Sequence, residues 1–542
     1  MSITSALMAR QAKLPTAETR NVSVERDLRI PMPDGVVLLA DHYAPQGLGD
    51  RPTILVRSVY TDRTKGGVVG RVIAERGFHV LIVSGRGVCG SGGRLTPFVC
   101  EHDDGLAVLA WLKKQDWFTG QLGTTGSSYL GFTQWAIAAE AGPILQAMTT
   151  QATSSDFRSM LYPGDALSLE IFLGWLSMVH NQEKPMTAFL AAILHGANKR
   201  AAAARHLPLA DADTVATGAP APYWREWLDH QSADDVWWSS SDHRHTVADV
   251  TAPNHLISGW RDFMLPALVR DYRTLHQAGR RPYLTIGPWH HWQTELSMTA
   301  MREGIAWLRA HLLKDHDGLR EAPVRIYIQG AEEWRDLPVY PPAEARPQRW
   351  HLQGGGGLAT TTPTASAPDR YRYDPADPTP AVLGMPRLMG STRKSGEQVL
   401  AGRDDVLTYT GTPLPADLDV IGIPVAELSV TSSLTYTDFY VRLCDVAPSG
   451  KVTHVSEALR RVTGDQPIDT LITIELWPTA HRFKQGHRIR MQVASGAFPR
   501  WDRNLGTGEP IATATAMRIA DQQVHHDPAR PSAIVLPVMA TT

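Results

Sequence analysis

Gly126-Ser127-Ser128-Tyr129-Leu130-Gly131 is the stretch of this sequence that points most directly to a fold. A β-rich piece precedes it at 121–125, and an alanine-rich helical piece follows it at 132–141. A serine at a glycine-flanked turn from strand to helix is held away from the sheet, with the next backbone N–H free to bind an oxyanion. The flanking glycines make Ser128, rather than Ser127, the candidate nucleophile. The usual pattern has glycine two residues after the serine and here it is three, so a plain turn stays open as the alternative.

Two strand ends later in the chain supply an acid and a base in the order that a serine nucleophile requires. A short buried strand is predicted at 253–259, and Asp262 follows it. Another strand is predicted at 281–286, and His291 lies just beyond it. Open α/β sheets place their sites at the carboxyl ends of strands. Asp262 would hold the His291 imidazole in the useful tautomer, and His291 would take the Ser128 proton and return it to the leaving group.

Each partner residue has a simpler explanation when it is taken alone. An aspartate after a strand is usually a turn former or a helix cap, and a histidine beside tryptophans is usually a packed ring. The serine corner, the aspartate and the histidine in this order are far less expected by accident. His290, which directly precedes His291, is the alternative base.

Further motifs are spread along the whole chain. They are Val56-Arg57-Ser58-Val59-Tyr60, Ser84-Gly85-Arg86-Gly87, Gly259-Trp260-Arg261-Asp262, Gly287-Pro288-Trp289-His290-His291 and, late in the chain, 438–448 and 498–504. With the serine corner, these motifs resemble the serine hydrolases that include cocaine esterase, the α-amino-acid ester hydrolases, the glutaryl-cephalosporin acylases and the X-prolyl dipeptidyl peptidases. The resemblance implies an α/β-hydrolase domain with an inserted helical cap and a C-terminal jelly-roll β-sandwich.

The resemblance also implies a role for each matching residue. It assigns the nucleophile, the acid and the base to the three residues named above, and it puts the base second in the histidine pair, which favours His291 over His290. It assigns the oxyanion hole to the Tyr129 backbone N–H and the Tyr60 hydroxyl. A phenol is a good neutral donor, which suits a group aimed at developing negative charge.

The chain's 542 residues are too many for one hydrophobic core and predict two or three domains. Strand and helix signals alternate at first, which favours a mostly parallel sheet. The signal turns helical after the serine and returns to strands before the acid, and short alternating strands dominate the last third. The predicted division is 1–150 and 250–340 for the two parts of the hydrolase domain, 151–249 for the cap and 341–542 for the β-domain.

Composition excludes several classes of protein. The net charge of −2 and the lack of a dense basic run argue against nucleic acid as a partner. No long apolar run predicts a membrane span, and no signal peptide is evident, so a cytoplasmic protein is expected. The 3 cysteines support neither a disulfide framework nor a metal cluster. We therefore predict no metal or organic cofactor and a small-molecule ester or amide as the substrate, and a homodimer stays open.

The residues after the predicted acid bear on the substrate. Relatives that accept α-amino acyl groups are expected to hold the ammonium with carboxylates, some of them at this place, whereas here the chain has Phe263, Met264 and Leu265. A buried ammonium requires a compensating charge. The segment therefore predicts a neutral, apolar acyl pocket. Its candidate lining residues are Trp175, Met264, Trp289 and Trp292, and the acids that could still supply a charge are Asp156, Asp165 and Glu170.

The sequence thus favours an esterase that acts on an uncharged, aromatic or aliphatic acyl group through an acyl-serine. An amidase or peptidase, including X-prolyl cleavage and β-lactam side-chain acylation, shares the same triad and stays open. An acyltransferase is a further variant. A catalytically dead binding protein is the alternative from another class, and the intact candidate triad argues against it.

Overall fold

The computed structural model describes residues 3–64, 67–382, 397–400 and 402–540. The chain forms two compact units. The first combines the chain up to Met160 with Val236–Tyr327 and Trp334–Val339. The second combines Leu161–Asp235, Ile328–Glu333 and the chain from Tyr340 onward.

The α-helices of the described residues fall into both units. In chain order they are α1 (Ile3–Gln11), α2 (Val68–Ala74), α3 (Glu101–Leu112), α4 (Tyr129–Ala138), α5 (Arg158–Leu161), α6 (Leu169–Asn181), α7 (Met186–Arg205), α8 (Ala212–Thr217), α9 (Pro222–Asp229), α10 (Leu265–Gln277) and α11 (Thr294–Leu308). A single π-helical turn, Arg309–Leu313, extends α11. None of the described helices is both long enough and apolar enough to cross a membrane.

The first unit is built on one sheet. Its strands are β1 (Val22–Pro31), β2 (Val37–Pro45), β3 (Thr53–Ser58), β4 (His79–Ser84), β5 (Leu122–Ser127), β6 (Leu145–Gln151), β7 (Asn254–Arg261), β8 (Tyr283–His290), β9 (Val324–Ile328) and β10 (Glu333–Leu337). Their order across the sheet is β1-β2-β4-β3-β5-β6-β7-β8-β9-β10. The pairs from β4 through β9 are parallel, whereas β1 and β2 add antiparallel pairs at one edge.

Burial explains why the middle strands are runs of mostly apolar residues in the sequence. Every residue of β3 is buried, and so are all but the last residue of β7. Parallel strands connected by crossover helices are covered on both faces, so both sets of side chains must be apolar or internally paired. The mostly parallel sheet predicted from the sequence is therefore confirmed, and its α/β-hydrolase character places sites at the carboxyl ends of the strands.

One strand is longer than the sequence predicts. Gly287 and Pro288 indicate a turn after 286, but β8 continues to His290 and pairs Gly287 with Gly259 on β7. The strand continues because its end stays paired with β7 as far as Arg261 and His290, and the Trp289 ring packs against Gly287. A Cβ on Gly287 would lie 2.5 Å from that ring, and a Cβ on Gly259 would lie 2.3 Å from the Trp289 carbonyl oxygen. These glycines therefore make room for a buried tryptophan rather than end the strand.

The second unit joins helices to a β-rich region. Within the described chain, 161–235 carries helices and turns but no strand, as predicted for the helical segment. The strands are β11 (Arg346–Gln353), β12 (Gly357–Ala359), β13 (Asp369–Tyr373), β14 (Leu407–Gly411), β15 (Leu418–Gly422), β16 (Val425–Ser432), β17 (Tyr436–Val446), β18 (Val452–Thr463), β19 (Asp469–Glu475), β20 (Thr479–Phe483), β21 (Arg488–Ala494), β22 (Ala520–His525) and β23 (Ala533–Val538).

These strands pair almost entirely antiparallel, with β12 and β14 as a parallel pair. A large apolar cluster is buried between them and includes Leu428, Phe439 and Met491. The predicted β-rich C-terminal region is confirmed. Its jelly-roll topology and the domain limits at 151, 249 and 341 stay predictions.

A buried ionic cluster connects the two late motifs, 438–448 and 498–504. The Arg461 guanidinium donates to Asp438 at 2.9 Å and to Asp502 at 3.1 Å, and the Asn504 amide donates to Asp438 at 2.7 Å. Asp502 also accepts the backbone N–H of Leu167 at 2.8 Å. Removing one member of such a cluster leaves an uncompensated buried charge. The two motifs are therefore parts of one structural element of the second unit.

Candidate active site

The serine corner is a strained turn between β5 and α4. Ser128 has φ 60° and ψ −121°, a conformation that L-residues rarely adopt. Its backbone N–H donates to the Gln151 carbonyl at 2.9 Å. Its carbonyl accepts the Gly131 N–H at 2.9 Å and the Thr153 hydroxyl at 2.7 Å. These bonds hold Ser128 at the carboxyl end of β5 and hold the corner against its strain.

The two glycines that flank the corner have steric reasons to be there. A Cβ on Gly126 would lie 2.4 Å from the Leu130 Cβ, and a Cβ on Gly131 would lie 2.5 Å from the Thr153 Cβ. Leu130 occupies the position at which the usual pattern has glycine, and Gly131 instead allows the helix to approach Thr153, just past the end of β6. The unusual spacing is thus compatible with a tight corner.

Asp262 and His291 come together at the ends of neighbouring strands. Their preceding residues, Arg261 and His290, are register partners on β7 and β8. The His291 Nδ1 and the Asp262 Oδ1 are 3.0 Å apart. Asp262 is completely buried, and the His291 side chain is 8% exposed. A buried carboxylate at this distance fixes the tautomer with the proton on Nδ1, which leaves Nε2 as the acceptor.

Asp262 is itself held from both sides. Its Oδ1 accepts the Met264 backbone N–H at 2.9 Å, and its Oδ2 accepts the Ser258 hydroxyl at 3.0 Å. These donors compensate the burial of the charge and orient the carboxylate toward His291. Ser258 was not identified from the sequence, because a serine inside a buried strand carries no motif.

The alternative base, His290, has different partners. The His290 ring accepts the Trp292 backbone N–H at Nδ1, at 3.3 Å. The His290 backbone N–H donates to the Gln293 side-chain oxygen at 3.2 Å. Burial lowers the pKa of His290, and the charge of Arg261 lowers it further. The carboxylate contact belongs to His291, and the assignment of the base to His291 stays a prediction.

The Tyr129 side chain fixes the residue after the serine. Its hydroxyl donates to Glu101 at 2.7 Å and accepts the Phe98 N–H at 2.8 Å. Glu101 is paired in turn with the buried Arg57 at 2.6 Å. Burial, together with the Glu101 carboxylate, raises the pKa of Tyr129 well above its usual value, so the phenol remains a donor. Glu101 and Arg57 thus position the backbone whose N–H is the predicted oxyanion donor.

Tyr60 lies at the same edge of the sheet, because it follows β3 and β3 neighbours β5. Its ring is 6.2 Å from the Tyr129 ring, edge to face. Its backbone N–H donates to the Ser58 hydroxyl oxygen at 3.0 Å, and the Ser58 hydroxyl donates to Asp62 through a very short bond. Burial raises the pKa of Asp62. The Ser58–Asp62 contact therefore shapes the turn that carries Tyr60.

Aromatic rings cover His291. The Phe263 ring centroid is 4.6 Å from the imidazole and 5.9 Å from the Trp292 ring. Met264 is buried at the start of α10. The His291 imidazole is therefore held in an apolar environment, where electrostatic interactions are stronger than in water.

The other predicted pocket residues lie in packed surroundings. Trp289 belongs to a buried cluster with Ile257 and Leu296. Trp175 lies on α6 in the second unit, with the Tyr223 and Trp227 rings 6.1 Å and 5.9 Å away. The binding roles of Trp175, Met264, Trp289 and Trp292 stay predictions. Among the described residues, no group of three or more His, Cys, Asp or Glu side chains is arranged to hold a metal ion.

Comparison with known proteins decides the family. The chain is 31% identical to the cocaine esterase of Rhodococcus sp. (strain MB1 Bresler), over 96% of this chain and 99% of that protein. Residues 34–293 match the X-Pro dipeptidyl-peptidase (S15) family, and residues 318–535 match the X-Pro dipeptidyl-peptidase C-terminal non-catalytic domain. The chain belongs to the S15 family. Relatives of the chain are named as esterases, and a serine ester hydrolase is the activity that the comparisons support.

Solved structures confirm the fold of this S15 protein. An α-amino acid ester hydrolase covers 97% of this chain and 98% of its own, with a TM-score of 0.76 at 24% identity. An aminopeptidase from a marine sediment archaeon, Thaumarchaeota archaeon, covers 97% and 98%, with a TM-score of 0.78 at 23% identity. At these identities the likeness establishes the architecture, and the substrate has to be argued from the residues.

Proposed function

We propose that the protein hydrolyses esters of uncharged acyl groups through a Ser128–His291–Asp262 triad and an acyl-serine intermediate. The observation that carries the proposal is the buried 3.0 Å contact between His291 and Asp262, two strands from the strained Ser128 corner. Asp262 orients the His291 imidazole from a fully buried position, and Ser128 keeps a backbone conformation that costs energy; a serine hydrolase has a use for both features.

The proposed reaction has two steps. His291 removes the Ser128 proton as the hydroxyl oxygen attacks the ester carbonyl, and the alcohol leaves with that proton. Water then enters, His291 deprotonates it, and attack on the acyl-serine releases the acid and restores the serine hydroxyl. Asp262 keeps the imidazole oriented and stabilises its charged form in both steps without accepting a proton.

The Tyr60 hydroxyl and the Tyr129 N–H would receive the oxyanion in each step. We expect Tyr60→Phe to lower kcat by about 10²- to 10³-fold, because it removes one preorganised donor aimed at the developing charge. KM should change little, since the donor acts mainly in the transition state. Steady-state kinetics on a p-nitrophenyl ester measures both constants. An unchanged kcat would assign the second donor to another group.

The acyl pocket is proposed to be neutral. The segment that follows Asp262 offers the Phe263 ring against His291 and a buried Met264, but no acidic side chain. Of the acids that could replace the missing charge, Asp156 is buried and lies 2.7 Å from the Arg270 guanidinium. Asp165 is 3.9 Å from Arg460. Both carboxylates already have cationic partners, so neither offers an uncommitted charge for a substrate ammonium. Glu170, the third of these acids, lies in the first turn of α6, and its charge acts on Arg200.

A pair of substrates that differ in one group tests the pocket. We expect p-nitrophenyl butyrate to be cleaved at least about a hundredfold faster, in kcat/KM, than p-nitrophenyl 2-aminobutyrate, because the pocket would have to bury an unpaired ammonium. Each rate is divided by the uncatalysed hydrolysis rate, since the amino ester is intrinsically more reactive. A benzoyl ester measures the width of the pocket. Preference for the amino ester, or cleavage of an X-Pro anilide alone, would replace this proposal with an aminoacyl hydrolase or a peptidase.

A further inference from the structure

A second cluster of a serine, a histidine and an aspartate lies in the β-rich region of the second unit. The His526 ring is 2.8 Å from the Ser366 hydroxyl oxygen at Nδ1 and 3.1 Å from Asp369 Oδ2 at Nε2. Asp369 begins β13, and its register partner on β22 is Val524. His526 comes two residues after Val524, so it is a diagonal neighbour of Asp369 on the same face. The pairing of two strands therefore brings the histidine and the aspartate together.

The hydrogen bonds of this cluster determine which atom carries each proton. Asp369 also accepts the Tyr409 hydroxyl at 2.8 Å. Burial, together with the Asp369 carboxylate, raises the pKa of Tyr409, so the phenol remains a donor. Because the carboxylate accepts, the neutral imidazole of His526 has its proton on Nε2 and a lone pair on Nδ1. The Ser366 hydroxyl therefore donates to His526.

This order of groups is the one that activates a serine. At His291 the Asp262 carboxylate lies on Nδ1, whereas at His526 the carboxylate lies on Nε2, so the two ring nitrogens have exchanged roles. A neutral imidazole accepts a proton at whichever nitrogen lacks one, so either arrangement provides a base. The His526 side chain is 1% exposed, and its ring is fixed between its two partners. A serine hydroxyl that donates to such a ring has the arrangement of an activated nucleophile.

Ser366 lies at the surface end of the cluster. It is half-buried, and its neighbours on either side in the chain are exposed. Its hydroxyl is 3.5 Å from the Thr364 carbonyl oxygen, so the bond to His526 is the shorter one. A Cβ on Gly354 would lie 3.3 Å from the Ser366 Cβ and 3.5 Å from its hydroxyl oxygen. Because Gly354 is exposed, the space beside the hydroxyl is kept free of a side chain at the protein surface.

We propose that Ser366 is a second nucleophilic serine, which His526 and Asp369 activate and which takes the acyl group of an aryl ester. The Ser366 oxygen forms a bond to the ester carbonyl carbon, and its proton passes to His526 Nδ1. The bond from that carbon to the phenol oxygen breaks, and the phenol leaves with the proton. The product is an acyl ester of Ser366. None of the described contacts of Ser366 is a donor aimed at an oxyanion, so the acyl donor has to be an activated ester. The inference does not depend on the proposed function, because it rests on residues of the second unit.

Fluorophosphonate labelling of the Ser128→Ala protein, located by peptide mass spectrometry, tests the site. We expect Ser366 to be labelled at least about a hundredfold faster than Ser449, since a general base contributes roughly 10²- to 10⁴-fold. Ser449 is an exposed serine in the turn between β17 and β18, and its described contact is with the Lys451 backbone N–H. Treatment with p-nitrophenyl acetate should place an acetyl group on Ser366 as well. Peptide mapping assigns each label to its own serine, so the result is independent of the role of Ser128.

Variants of the two supporting residues test the activation. His526→Gln removes the base and should slow labelling by at least about a hundredfold. Asp369→Asn keeps the size of the side chain, but its amide can donate to Nε2 and move the ring proton to Nδ1, so labelling should slow by at least about tenfold. His525→Gln is the matched control. The His525 ring contacts the Thr431 hydroxyl at 2.9 Å, and its loss should leave labelling unchanged.

The proposal is overturned if Ser366 reacts no faster than Ser449. It is also overturned if His526→Gln and Asp369→Asn, folded by their melting temperatures, are labelled at the rate of the Ser128→Ala parent. An equal loss of labelling in His525→Gln would contradict it too, because the effect would then come from β22 rather than from the base. Ser366→Ala in an otherwise wild-type protein should hydrolyse p-nitrophenyl butyrate at the wild-type rate, so the two proposals succeed or fail separately.

Discussion

Replacing Ser128 with alanine is expected to lower kcat for ester hydrolysis by roughly 10⁴- to 10⁶-fold, because removing the nucleophile leaves only binding and the oxyanion donors. The fold should be retained. The Ser128 backbone holds the corner by donating to the Gln151 carbonyl and by accepting the Gly131 N–H and the Thr153 hydroxyl, and none of these bonds uses the Ser128 hydroxyl. Single-turnover measurements with a p-nitrophenyl ester give the residual rate, and a fluorophosphonate probe reports whether any serine is still reactive.

Ser127 provides the matched control. It is the neighbouring hydroxyl, it is exposed at the end of β5, and its backbone is part of the regular strand. Ser127→Ala should therefore hydrolyse esters within about threefold of wild type, as expected for a surface substitution. If Ser127→Ala loses activity and probe labelling while Ser128→Ala keeps both, the nucleophile has been assigned to the wrong serine. If neither variant differs from wild type, no triad at this corner carries the reaction.

The parallel sheet could be predicted well from the sequence, because its buried strands are visible as runs of apolar residues. Strands such as β3 and β4 are covered on both faces, so the apolar run and the strand coincide nearly residue for residue. The exception is β8, where Gly287 and Pro288 resemble a turn in the sequence. The strand continues to His290 because it stays paired with the neighbouring strand β7, and Gly287 leaves room for the Trp289 ring.

The candidate triad could be located from the sequence because each of its members follows a strand, and strand ends are visible in the chain. The groups that support it could not. Ser258 donates to Asp262 from inside a strand, and Glu101 reaches Tyr129 from the start of α3 with a sequence separation of 28 residues. Contacts of this kind follow from how the layers pack, and no local pattern records them.

Replacing His291 with glutamine is expected to lower kcat by roughly 10⁴- to 10⁶-fold, comparable to the loss of the serine, because nucleophile and base act as a unit. The double variant Ser128→Ala/His291→Gln should therefore have a kcat only slightly below that of either single variant. His290→Gln is the matched control. His290 has no described hydrogen bond to Asp262, and its ring accepts only the Trp292 N–H, at 3.3 Å. Losing that contact should cost about tenfold at most.

The pair of histidine variants distinguishes the two assignments that the sequence left open. A large loss in His291→Gln with a small loss in His290→Gln places the base where the buried carboxylate orients a ring. The reverse result would mean that the Asp262–His291 contact is structural and that His290 turns toward Ser128 when substrate binds. Equal, moderate losses would indicate that the turn after β8 matters as a whole, and the proposed triad would then fail even if Ser128 proved to be the nucleophile.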